Sequence, residues 1–325
     1  MKNIIKLKFL ILSILVSSQV LALEISKVNS GEVINASLLN DNFIKLRDRA
    51  SKNYIINGNL DFWQRKTSGS SEYVADRFYC LGDCSRISSN ISKSKYLINI
   101  SNSVEQRLES NHVLELEGET VTLSFYSSSS TPQVLIKNPT TTDNGYNTST
   151  EAGINATLSS ESNYFYYTFS VNSTMAQNGF AIRLVGAGNY GQIMLTKGGE
   201  PVKFKRAGNS YQEELNLCLR YFEKTYRLSD NVGKVTNSGS FKYRAINTTT
   251  HFKTFQFKQV KRNTPSINPY SARSGTIGKI DNDSDNADVS ANFSGTTDMN
   301  TGYLTWSATS GKAYLIHWVA DAEIY

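Results

Sequence analysis

The chain has 325 residues and a formal charge of +6, and three of its lysines, Lys2, Lys6 and Lys8, sit together at the start. Residues 1–22 contain those three lysines and no acid, so the remainder carries only +3, too weak and too spread a charge to track nucleic acid. Eighteen tyrosines and 15 phenylalanines against 5 prolines, with abundant Ser, Thr and Asn, favour strands joined by polar turns, so the fold class expected is mostly β.

Residues 1–22 read as a secretory signal peptide. The lysines precede an apolar run from Phe9 to Val16, and Val20-Leu21-Ala22 places small residues at the −3 and −1 positions. That run is too short to span a bilayer, no later stretch reaches the roughly 20 apolar residues a spanning helix needs, and no Cys follows for a lipid anchor. The expectation is an exported protein, extracellular or held at the surface or in the periplasm of a bacterium, with no transmembrane segment.

In residues 23–54, Asn35 is a plausible N-cap, and Leu39, Phe43, Leu46 and Ala50 follow at spacings of 4, 3 and 4. The stripe is barely two heptads long. It either packs on its own domain or forms a short neck where copies of the chain meet.

Residues 55–205 alternate in the period of strands. In 121–127, "VTLSFYS", Val, Leu and Phe face one way and Thr, Ser and Tyr the other; 164–171, 179–186 and 191–198 are further strand candidates, separated by turn-rich stretches such as 137–163. Short strands with polar turns predict a jelly-roll β-sandwich. In an exported protein Cys80 and Cys84 either close a small local disulfide or stand as two thiols on a turn.

Residues 206–325 begin with a helix predicted over 210–224. Ser210 and Glu213 make a capping box, and Tyr211, Leu215, Cys218 and Phe222 mark one face, with Cys218 a small core residue. Strand-like runs follow, so a small β-rich domain with one helix is expected, with the boundary near 206.

No catalytic or metal-binding pattern emerges. His112, His251 and His317 are scattered, without zinc-ligand spacing, and neither a Ser-His-Asp nor a Cys-His arrangement can be argued. The run 281–288 alternates Asp281, Asp283 and Asp285, but an EF-hand would want Gly at 286 and Glu at 292, where the chain has Asn286 and Asn292. No cofactor and no metal are expected.

Several segments resemble, in order, a modular family of phage tail fibres and related bacterial fibre-tip proteins. They are "NGNLDFWQR" at 57–65 with "YVADRF" at 73–78, "SVEQRLE" at 103–109, "GETVTLSFYS" at 118–127, "EELNLCLRYFEKTY" at 213–226 and the terminal "WVADAEIY". Residues 30–46 also resemble the helical entry segment of trimeric fibres. The resemblance implies a jelly roll similar to carbohydrate-binding modules, a β-rich tip domain, and a homotrimeric, non-enzymatic adhesin recognising cell-surface glycan. The alternatives are a structural fibre subunit without a ligand and a polysaccharide depolymerase. Phage fibres lack signal peptides, so the export signal points to a cellular protein similar to the fibre adhesins of predatory bacteria. Calcium, which such jelly rolls often hold, is doubtful where Gln192 replaces their usual Asp.

The densest motif is read as structural. Asp61 and Asp76 could pose as a glycosidase pair, but Arg77 and Arg65 lie beside them and should lower their pKa, the wrong direction for a general acid. Asn57, Asp61, Trp63, Arg65, Asp76 and Arg77 are therefore expected to form the first strand of the jelly roll, tied by Asp–Arg hydrogen bonds. For glycan recognition, Tyr243, His251 and Tyr303 are expected to border a shallow site on the tip domain, the alternative being ordinary sheet residues; failing those, the 137–163 loop is the next surface.

Overall fold

A computed structural model of the chain describes residues 36–146, 153–159, 161–292 and 298–325. The expected signal peptide and the Asn35 cap lie outside the described residues. The chain divides into two compact units, Met1–Ser51 and Lys52–Tyr325.

In the first unit a helix runs over Ala36–Ala50. The Ser51 hydroxyl and backbone N–H both donate to the Arg47 carbonyl (2.7 and 3.0 Å), closing its last turn. Phe43 and Leu46 of the predicted stripe are solvent-exposed, Phe43 at 66%, as is Ile44.

The second unit begins with a two-sheet sandwich. Its principal strands are β1 (Tyr96–Ile100), β2 (Ser103–Leu108), β3 (Thr120–Ser127), β4 (Gln133–Lys137), β5 (Ile154–Asn155), β6 (Tyr164–Ser170), β7 (Phe180–Val185) and β8 (Gly188–Lys197). One sheet runs β1-β8-β3-β6 and the other β2-β7-β4-β5, all antiparallel, with short accessory strands at the edges. Chain-order strands thus pass repeatedly from sheet to sheet, the two-Greek-key order of a jelly roll. The inward residues are those of the predicted alternation: Val121, Leu123 and Phe125 meet Val104, Ile182 and Leu184 in one core. Cys80 and Cys84 are disulfide-bonded at the edge of this core.

The motif at 54–65 is not a strand but a run of turns, which corrects the expectation. Asn57 sits at φ 61°, and its side chain replaces a ladder: its Oδ1 accepts from Phe62 N–H (3.0 Å), while its Nδ2 donates to the carbonyls of Phe62 (2.9 Å) and Asp76 (3.0 Å). Gly58 lies flat against the bulge in β8, its carbonyl accepting from Ile193 N–H (2.9 Å), and an added Cβ would run into the Ile193 carbonyl. Polar side chains satisfy the buried backbone here, which is why the segment reads so dense.

The Asp–Arg tie is corrected at Asp76, while Asp61 does bond an arginine, Arg206 from outside the motif (2.9 Å). Asp76 accepts from Gln64, backbone N–H at 2.9 Å and Nε2 at 2.6 Å, and bonds no arginine. Its pKa is raised, not lowered, because burial outweighs the nearby Arg65 and the Gln64 hydrogen bonds. The arginines turn instead to the end of the chain. Arg77 pairs with Glu323 and donates to the Arg107 carbonyl, with its guanidinium over the Tyr221 ring at 3.5 Å. Arg65 reaches Asp321 (3.0 Å) and Glu323 (3.3 Å).

The remaining strands are β9 (Phe222–Lys224), β10 (Phe241–Arg244), β11 (Thr249–Gln256), β12 (Ser266–Ser271), β13 (Lys279–Asn282), β14 (Ala287–Asn292), β15 (Thr301–Ala308) and β16 (Ala313–Asp321). The helix between the two β regions covers Tyr211–Leu219, with the Ser210–Glu213 capping box in place. It stops short of the predicted 224 because Phe222–Lys224 pairs with Asp321–Val319 of β16, and strand pairing there replaces continued helix. Strand β16 is the hub, pairing with β9, β10, β12 and β13. A separate apolar cluster joins the β regions across the predicted 206 boundary: Ile56 and Phe62 from the motif, Ala181 from β7, Leu215 and the buried Cys218 from the helix, and Ile324.

Candidate functional site

The predicted tip residues separate. Tyr243 and His251 do meet, Tyr243 Oη lying 2.7 Å from His251 Nδ1, but both pack around Trp306, and His251 Nε2 is taken by the Asn247 carbonyl. They belong to the core side of the sheet. Tyr303 lies on the opposite face of β15, against Phe252 of β11 with rings 5.7 Å apart. The expected three-residue site is thus corrected: strand alternation sends its members to two faces.

The other histidines are engaged locally. His112 Nε2 lies 3.1 Å from the Tyr54 carbonyl, and His317 stacks on Tyr226 with ring centroids 3.8 Å apart. Among the described residues no group of three His, Cys, Asp or Glu is placed to hold a metal. Gln192 accepts from Tyr164 Oη (2.5 Å) and donates to the Ser92 carbonyl (2.8 Å). In the 281–288 hairpin Asp281 pairs with Arg273 (2.8 Å) and Asp283 with Lys242 (2.9 Å).

A groove of about 960 Å³ does present a candidate surface. Its floor is the outer face of three adjacent strands, β9, β16 and β12. The pairing sets Phe222 beside Asp321 and Ser266 in one row, with Val319 beside Asn268 in the next. Strand β12 is exposed at Ser266, half-buried at Asn268 and Tyr270, and buried at the alternate Ile267, Pro269 and Ser271, so its polar face opens to the groove. One wall comes from the motif region, through Arg65, Tyr73 and Tyr79, and Tyr325 closes an end. The rings are fixed: Tyr73 sits edge-on between Tyr79 and Tyr325, with its hydroxyl on the Ile324 carbonyl, and Tyr325 donates to Asp321 (2.9 Å).

A second recess of about 460 Å³ opens on the same sheet face, beside the helix Tyr211–Leu219. Between it and the groove, Val232 N–H donates to the Arg65 carbonyl (3.1 Å), and the Lys224 ammonium is caged by the carbonyls of Gln64 (2.5 Å), Leu228 (3.5 Å) and Asp230. Burial pushes Lys224 down to about 8, with Asp76 and Asp230 resisting the shift.

Sequence reading missed Asn268, Tyr270, Phe222 and Tyr325. The alternation in "SINPYS" was available at 266–271, but Pro269 masks a strand signal, and this Pro is tolerated because β12 lies on the sheet's flank.

No family model matches the chain, and no curated protein does. Among solved structures, the N-terminal CBM22-1-CBM22-2 tandem domain of Paenibacillus barcinonensis Xyn10C is similar over 79% of this chain and 89% of its own, at 14% identity and a TM-score of 0.26.

Proposed function

We propose that the chain is a secreted, non-enzymatic adhesin at the tip of a homotrimeric fibre, recognising glycan on a target cell surface. The groove carries this reading. Sugars are held by aromatic faces against their C–H surfaces and by amides and hydroxyls at their own hydroxyls, and the groove sets the accessible rings of Tyr79, Tyr270 and Tyr325 beside Asn231, Ser266 and Asn268. The non-enzymatic part draws support from the carboxylates of the motif. Asp61 is held by Arg206 (2.9 Å) and Asp76 by Gln64, and neither lines the groove.

A bacterial glycan array with the purified protein tests the reading, alongside the double variant Tyr270→Ala/Asn268→Ala. Both side chains are half-buried on the outer face, so the variant should keep its melting temperature and lose at least tenfold in glycan affinity. No binding across diverse bacterial glycans would leave a structural fibre subunit as the better reading, and release of reducing sugar would favour a depolymerase.

A further inference from the structure

The recess beside the helix Tyr211–Leu219 differs from the groove in its charge. Lys224, Arg227 and Lys258 line it, and no carboxylate does. The acids nearest in the chain are committed elsewhere. Asp230 pairs with Lys234 (2.5 Å) and Asp76 is bonded by Gln64. Glu223 points to the other face of β9, where it takes the Lys258 backbone N–H (3.0 Å) and the Lys261 ammonium (2.6 Å). Asp76 and Asp230 oppose the charge of Lys224 from beneath, so the surplus positive charge in this concave, partly apolar space is that of Arg227 and Lys258, where a fixed charge is less screened than on an open surface.

The rest of the lining narrows the ligand. The exposed Leu228, with the edges of the buried Leu215 and Leu219, gives an apolar leucine wall, and Gln212 donates to Asn216 (3.0 Å), which holds that amide pair in a fixed orientation at the rim. A bare inorganic ion would leave this wall bare. We propose that the recess takes the oxyanion of an acidic sugar, with Arg227 and Lys258 at the anion and the leucine wall against the ring. Lys224 lies beneath them as a spectator, its hydrogen bonds filled by the three carbonyls and its charge opposed by Asp76 and Asp230. The site is separate from the groove and does not depend on the groove binding anything.

Calorimetric titration of the purified protein with glucuronate, glucose 6-phosphate, glucose and inorganic phosphate tests this at low and moderate salt. At least one of the acidic sugars should bind ten times more tightly than both glucose and inorganic phosphate, weakening with salt; which one does so distinguishes a carboxylate from a phosphoryl group. Arg227→Gln/Lys258→Gln changes two exposed side chains, so melting should be unaffected and acidic-sugar affinity should fall at least tenfold. Tyr270→Ala/Asn268→Ala, in the groove, should leave that affinity unchanged. Glucose or phosphate binding as tightly as the acidic sugars, an unaffected Arg227/Lys258 variant, or no binding of any probe would each overturn the assignment.

Discussion

Asp76 shows how a residue can be placed correctly in a motif and wrongly in its partnership. Its neighbour in sequence, Arg77, turns away to Glu323, and the carboxylate serves the backbone and side chain of Gln64 instead. Asp76→Ala should therefore strand two buried Gln64 donors and lower stability by about 1–3 kcal/mol, read by denaturant titration. An unchanged midpoint would mean that the motif is not a folding device. Lys224 gives a second residue-scale test, through pH. Its folded pKa of about 8 lies below its ordinary 10.5, so between those values the unfolded chain binds more protons and stability from this group rises with pH. Measured as the difference between wild type and Lys224→Met, stability should shift toward wild type by about 1–2 kcal/mol from pH 7 to 9.5. A flat difference would show that burial does not lower the lysine's pKa and that it stays charged in the folded chain throughout this range.

At the scale of elements, the helix Ala36–Ala50 leaves Phe43, Ile44 and Leu46 exposed, an apolar stripe that a single helix gains nothing by presenting to water. If that stripe is the neck of a trimer, light scattering should give three times the chain mass, and Phe43→Glu/Leu46→Glu should reduce it to a monomer. A wild-type monomer at micromolar concentration would remove the neck. The same helix was legible in the sequence because its period is local, and so were β3, through the alternation of its inward Val121, Leu123 and Phe125, and β6, β7 and β8, as short apolar runs bounded by turns. What could not be read was set by distant pairing. Phe222 continued a helical stripe yet joined β16, and "NGNLDFWQR" looked like a strand because its apolar residues are buried, while Asn57 and Asp76 supply the bonds a ladder would have given. Alternation along β15 sets Tyr303 on the face opposite Trp306, and what could not be read was that Tyr243 would pack against Trp306 on the core side.

For the whole molecule the decisive question is whether the jelly roll and the β9–β16 sheet are independent. Glu323 is fully buried between Arg77 and Arg65, and Ile324 packs with Ile56, Phe62 and Ala181 while its carbonyl accepts from Arg107 (2.8 Å) and Tyr73. The tail that ends the second sheet is thus the partner of arginines that begin the first β region. Separating the halves would expose that apolar cluster and leave buried charges unpaired, so neither half should unfold without the other. Scanning calorimetry should show one cooperative transition for the Lys52–Tyr325 unit. Glu323→Ala, which removes the carboxylate partner of Arg77 and leaves Arg65 with Asp321 alone, should lower that unit's stability by about 3–5 kcal/mol and move the whole transition rather than split it. Two resolved transitions in the wild type, or a Glu323→Ala variant in which only one part of the signal shifts, would show that the chain divides near 206 and that the buried arginines merely decorate a contact between separate domains.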